Sequence, residues 1–124
     1  MVLVDTSVWV DHFRKGNDPL RGLLASGHVA CHPIIIGELA CGHLKNRSEI
    51  LSLLQTLSQG ALVEYDEALH FIERHQIMGL GIGFIDVQLL ASSMMSGIPL
   101  WTKDKALQGV ALKLNVSYLS SQPL

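Results

Sequence analysis

The chain has 124 residues, 48% of them hydrophobic, with nine Lys and Arg against eleven Asp and Glu for a formal net charge of −2. That length and apolar content predict one domain over residues 1–124, burying somewhat over ~60% of the surface its unfolded chain exposes. The charge balance excludes a protein that coats nucleic acid through bulk basicity, so any RNA or DNA contact must be local.

Short apolar runs alternate with longer amphipathic ones, the pattern of βαβ units around a parallel sheet. Val2-Leu3-Val4 predicts a first strand and Ser7 to Arg14 a short helix capped by Thr6 or Ser7. Pro19, after Asp18, opens a second helix to about Ala25. Val29 to Cys31 predicts a second strand, and His32-Pro33 a helix that carries Glu38 and ends near Leu44. Arg47 to Leu57 predicts another helix, Ala61 to Val63 a third strand, and Asp66 the cap of a helix through Ile77. The glycines at 79, 81 and 83 make a flexible loop ahead of a helix from about Phe84 to Ser96. Leu100 to Thr102 predicts a fourth strand, Lys105 to Lys113 a last helix and Val116 to Leu119 a fifth strand.

The N-terminus has no basic region and reaches Asp5 almost at once, which argues against a signal peptide. Val87 to Trp101 is uncharged, but its 15 residues are interrupted by serines, Gly97 and Pro99. It falls short of the ~20 apolar residues of a membrane span. Cys31 and Cys41 form no C-x-x-C pair and predict small buried thiols in a reducing cytoplasm.

Four acids carry the chemistry. Asp5 ends the first apolar run, and Asp104 follows Ile98-Pro99-Leu100-Trp101 by three residues, so both belong at the carboxyl ends of parallel strands, where ligands bind at the crossover reversal. Glu38 and Asp86 lie in helical patterns with apolar residues one turn either side, which predicts that both face the interior. Buried carboxylates need a partner or a metal, and no Lys or Arg shares either stretch to pair with them. A shared Mg²⁺ or Mn²⁺, favoured by all-oxygen ligands, cancels their repulsion.

The segments Leu3 to Phe13 (L-V-D-T-S-V-W-V-D-H-F), Gly37 to Leu39 (G-E-L), Phe84 to Ala91 (F-I-D-V-Q-L-L-A) and Thr102 to Asp104 (T-x-D) resemble, in order and spacing, the signatures of PIN-domain ribonucleases of the VapC toxin type. The resemblance implies a three-layer α/β/α domain with a five-stranded parallel sheet, Mg²⁺- or Mn²⁺-dependent endonuclease activity on RNA, a homodimer and a cognate VapB-like antitoxin. It places Asp5, Glu38, Asp86 and Asp104 on the family's acidic quartet, and Thr6 or Ser7 with Thr102 on its hydroxyl positions. Relatives often carry a further acid and an aromatic after the last signature Asp, where Lys105-Ala106-Leu107 stand here.

A metal held by these acids would lower the pKa of a bound water and aim it at a phosphodiester, while Thr102, with whichever of Thr6 and Ser7 does not cap the helix, orients the carboxylates or a water. Arg14, Lys15, Lys103 and Lys105 are candidate phosphate guides, with solvated surface cations as the bland reading. The other seven acids read as caps and surface charges. Trp9 and Trp101 could stack on bases; Trp101, closing an apolar strand, reads as core, and Trp9, on the first helix, as part of a dimer or antitoxin interface. Two rivals share the pattern of strand-end Asp. A haloacid-dehalogenase-type phosphatase needs a second Asp where Ser7 stands, and a phosphoryl-accepting receiver needs one on the third strand, which leads only to Glu64. The third alternative is a non-catalytic binding module on the same scaffold.

Overall fold

The computed structural model describes residues 1–119. Strands β1 (Val2–Val4), β2 (Val29–Cys31), β3 (Ser58–Gln59) and β4 (Leu100–Trp101) form a parallel sheet of order β3-β2-β1-β4. The helices are α1 (Thr6–Lys15), α2 (Asp18–Ala25), α3 (Pro33–Ala40), α4 (Arg47–Thr56), α5 (Tyr65–His75), α6 (Phe84–Ser96) and α7 (Lys105–Lys113). The α/β class with a parallel sheet is as expected. From β1 the chain moves outward to β2 and β3, then returns to lay β4 on the other flank of β1, so the ends of β1 and β4 bracket the point where strand order reverses.

Burial explains why the elements sit where they do. All residues of β1, β2 and β4 are buried, as strands covered on both faces must be. Helix α6 buries seven consecutive residues, Val87 to Ser93, which is why its sequence shows little polar-apolar periodicity. Helix α3 packs against α1 and α4, while α5 packs against α6. No helix of the described residues is long and apolar enough to cross a membrane.

Several expectations are corrected. Among the described residues the sheet has four strands, and the fifth shrinks to one parallel bridge, Leu100 to Ser117. Two hydrogen bonds hold it, Leu100 N to Val116 O at 2.7 Å and Tyr118 N to Leu100 O at 2.9 Å. The third strand is Ser58–Gln59, not Ala61 to Val63: Gly60 N still donates to Cys31 O at 2.7 Å, after which the chain leaves the ladder. Val63 is buried without strand pairing, and its carbonyl accepts from Gln88 Nε2. Helix α3 stops at Ala40 rather than Leu44, and α5 is capped by Glu64 rather than Asp66. Cys41 is exposed because it ends α3, whereas Cys31 is buried and its thiol pKa is pushed up to about 11 by that burial. Trp9 is buried at 2% exposure and belongs to the core, not to an exposed interface.

Candidate active site

Asp5 occupies the N-cap of α1 with extended backbone, but its side chain caps nothing. The carboxylate turns toward β4, where Oδ2 accepts hydrogen bonds from Ser7 Oγ and Thr102 Oγ1, both at 2.8 Å. Two hydroxyl donors stabilise a carboxylate that is only 6% exposed. Its Oδ1 receives no hydrogen bond among the described residues. The expected cap at Thr6 or Ser7 is corrected accordingly: both are first-turn residues whose hydroxyls face the acids.

The hydroxyls also organise the loop after β4. Lys103 N donates to Ser7 Oγ at 2.9 Å and Asp104 N to Thr102 Oγ1 at 3.0 Å. Asp104 then caps α7, its Oδ1 accepting from Leu107 N at 3.0 Å. Asp86, in the first turn of α6, accepts from Gly83 N through Oδ2 at 3.1 Å. Burial raises the Asp86 pKa first; the Gly83 N–H opposes the rise, and the charges of Asp5 and Asp104 add to it. These three aspartates therefore share one electrostatic field. Glu38 joins from α3, its Oε1 accepting from Thr6 Oγ1 at 2.6 Å.

The expectation that these acids are all buried does not hold. Asp5 is buried and Asp86 half-buried, while Glu38 and Asp104 are exposed. Ile35 and Leu39 take the core-facing positions of α3, which turns Glu38 outward, and Asp104 stands on the loop that leaves the sheet. Among the described residues no three His, Cys, Asp or Glu side chains are gathered into a ready-made metal cage. The site is an open arrangement in which Asp5, Asp86 and Asp104 each commit one carboxylate oxygen to the protein and leave the other free. Such hard oxygen donors suit a hard divalent cation that keeps part of its water.

Lys103 is not a free phosphate guide. Its Nζ lies 3.4 Å from Asp11 Oδ2, and Lys15 Nζ lies 3.4 Å from Asp11 Oδ1. Asn17 Nδ2 donates to Asp11 at 3.1 Å. That bond lowers the Asp11 pKa most, opposed by burial and helped by Lys103 and Lys15. Asp11 is thus more than the surface charge expected of it, since it ties α1 to the loop carrying Asp104. The Asp11 to Lys15 spacing was visible as an i,i+4 pair, but the partner 92 residues on was not. Lys105 and Arg14 make no ion pair among the described residues.

The PIN domain family model matches residues 2–113. Ribonuclease VapC32 of Mycobacterium tuberculosis, in strains CDC 1551 / Oshkosh and ATCC 25618 / H37Rv, is 43% identical over 124 residues, covering 94% of this chain and all of the relative. Among solved structures, PAE2754 from Pyrobaculum aerophilum superposes with a TM-score of 0.59 at 17% identity, over 93% of this chain and 88% of that one. FitAB bound to an IR36 DNA fragment gives 0.61 at 15% identity, over 94% and 92%. FitAcB from Neisseria gonorrhoeae gives 0.59 at 18% identity, over 94% and 95%. These structural likenesses concern the fold, whereas the family match and the 43% identity reach further: the chain belongs to the PIN-domain family, among its VapC ribonucleases.

Proposed function

We propose that the chain, folded as one domain, is a divalent-metal-dependent endoribonuclease toxin of the VapC type, acting in the cytoplasm as a homodimer and restrained by a VapB-like antitoxin. The observation that carries the reading is the convergence of Asp5, Asp86 and Asp104 at the reversal between β1 and β4, where burial raises the Asp86 pKa and the charges of the other two add to the rise. The name of the 43% identical relative, a ribonuclease, supports RNA as the substrate. Free Cys31 and Cys41 accord with a reducing compartment.

Asp5, Asp86 and Asp104, with Glu38 directly or through water, would hold Mg²⁺ or Mn²⁺. The ion, when bound, activates water and neutralises charge developing on the phosphoryl oxygens. The protein's own part is positioning. Ser7 and Thr102 fix Asp5, the α7 cap fixes Asp104, Gly83 fixes Asp86, and Thr6 holds Glu38 toward the same end of the sheet. His12 and His32 are committed to backbone groups, His12 Nδ1 accepting from Asn17 N and His32 Nδ1 from Ile34 N. Neither is free to serve as general base through that nitrogen. An apolar cleft of about 200 Å³ walled by Phe13, Leu24, Leu53 and Leu57 offers seats for the apolar anchors of an antitoxin segment, whose Arg would pair with the acids.

The test is incubation of the purified chain with RNA, with and without Mn²⁺, beside expression of the chain alone in cells. Cleavage only with metal, together with growth arrest, is the expected result. RNA left intact at every metal concentration would leave a non-catalytic binding module on this scaffold.

A further inference from the structure

Beside the acids lies a second cleft, of about 510 Å³, between α1 and the turn joining α3 to α4. Thr6 and Glu38, joined by their hydrogen bond, are among its lining residues, so it reaches one of the four acids and the residue next to Asp5. Its lining includes Arg14, His43 and Lys45 over an apolar floor that contains Phe13.

The chain's cations are mostly spoken for. Lys15 and Lys103 pair with Asp11, and Arg21 pairs with Asp18. Arg47 donates to Ala40 O and Lys113 to Gln76 O. Among the described residues the Lys and Arg side chains with neither kind of partner are Arg14, Lys45, Arg74 and Lys105. Arg74 lies in a cleft with Asp66 and Glu67, and Lys105 flanks Asp104. Arg14 and Lys45, distant in sequence, line this one cleft. Two uncommitted cations beside an acidic centre call for an occupant that carries negative charge of its own. Phe13 narrows the class: one side is stacked on Trp9, centroids 5.8 Å apart and planes 23° from parallel, which makes it a rigid aromatic platform. Cations that follow a phosphate backbone, combined with an aromatic surface for a base, are what single-stranded nucleic acid uses.

We infer that this cleft is the entry channel for single-stranded RNA, with Arg14 and Lys45 holding phosphates next to the scissile one and Phe13 supporting a base. The inference rests on the ribonuclease reading and extends it by assigning the side from which substrate reaches the acids. An acidic protein segment is the competing occupant; it would use the cations but not the aromatic platform.

The experiment compares wild type with Arg14→Ala, Lys45→Ala and the double variant on a fluorescent single-stranded RNA, in turnover with Mn²⁺. Binding of a 2′-deoxy oligonucleotide of the same sequence is measured in parallel over a range of salt. The expected result is a KM raised roughly tenfold in the double variant, with kcat within about twofold. The slope of log affinity against log salt should fall by about 0.7 per cation removed. An unaltered KM and salt slope beside normal wild-type cleavage would overturn the channel and leave the ribonuclease reading standing. If wild type does not cleave, that reading fails, and the binding measurement alone still decides whether the cleft takes a single strand. Loss of binding to an acidic peptide, with RNA binding unchanged, would also overturn the channel.

Discussion

Asp5 and His32 invite comparison because they occupy equivalent places. Each follows a buried strand, β1 or β2, each is the extended N-cap of the next helix, and each is itself buried. Their polar atoms are used differently. His32, fully buried, accepts from Ile34 N at 3.0 Å through Nδ1, and its Nε2 meets Ala61 O at 3.0 Å, so both ring nitrogens are answered by backbone. Asp5 caps nothing, draws two hydroxyls onto one oxygen and leaves the other unanswered. Two polar groups of similar burial thus differ in unspent bonding capacity: one staples the strand end, and the other is available to a ligand.

The largest expected effect breaks the Asp5 side. Asp5→Asn should lower RNA cleavage by ~10³-fold or more, equivalent to about 4 kcal/mol of barrier. The apo protein should melt no lower, because Asp86 loses a like charge. Single-turnover cleavage and thermal denaturation check both halves, and near-normal cleavage would remove Asp5 from its role.

On the other side, His32→Ala should cost roughly 3 kcal/mol of stability, since it opens a cavity and strands Ile34 N–H and Ala61 C=O. Cleavage per folded molecule should hold. Urea unfolding beside activity corrected for the folded fraction tests this, and lost activity at unchanged stability would put His32 in the wrong class.

Gly60, at the edge of the same region, sharpens the contrast. A Cβ there would stand 2.6 Å from Ser92 Oγ and 3.2 Å from His32 Cδ2. Gly60→Ala should therefore cost about 1–3 kcal/mol. Adding Ser92→Ala should recover part of it, because that buried hydroxyl has no partner to lose. Additive effects in the double variant would show that the two groups do not meet.

The smallest effect is on pH. Burial, opposed by the bond to Ala61 O, lowers the His32 pKa, and burial also lowers that of His12. The unfolded chain takes up these protons near pH 6.5, before the folded one does. Stability should thus be full above pH 6.5 and fall as pH drops toward the folded values, by at most about 1.4 kcal/mol per pH unit for each histidine. His32→Asn should flatten the fall. Equal slopes in both proteins would mean that the ring titrates alike folded and unfolded.

Most of the fold was legible because its signals are local. Val2-Leu3-Val4 and Val29 to Cys31 are strands wherever such runs are bounded by caps, and Pro19 and Pro33 open helices by their fixed φ. The misplaced third strand has a physical cause: Ala61 to Val63 is an apolar run in which Val63 is buried without ladder pairing, and that looks like a strand in sequence. In the site, Asp5 and Asp104 could be placed because they follow apolar runs. The exposure of Glu38 could not, since period alone does not say which of two adjacent helical faces turns to the core. The Asp11 to Lys103 link depends on α1 and β4 meeting in space, a fact carried by topology and not by any segment.

The single-oxygen anchoring of Asp5, Asp86 and Asp104 has a consequence for which substitutions the site can tolerate. Each anchoring bond is made at a reach set by one methylene, and it removes rotamer freedom when the chain folds, so that less is lost when a ligand arrives. Glutamate at any of the three conserves charge and donor type, yet its extra methylene carries the carboxylate past Ser7 and Thr102, Gly83 N or Leu107 N. Asparagine would keep the placement and lose the charge, glutamate the reverse, so each substitution should fail for a different reason.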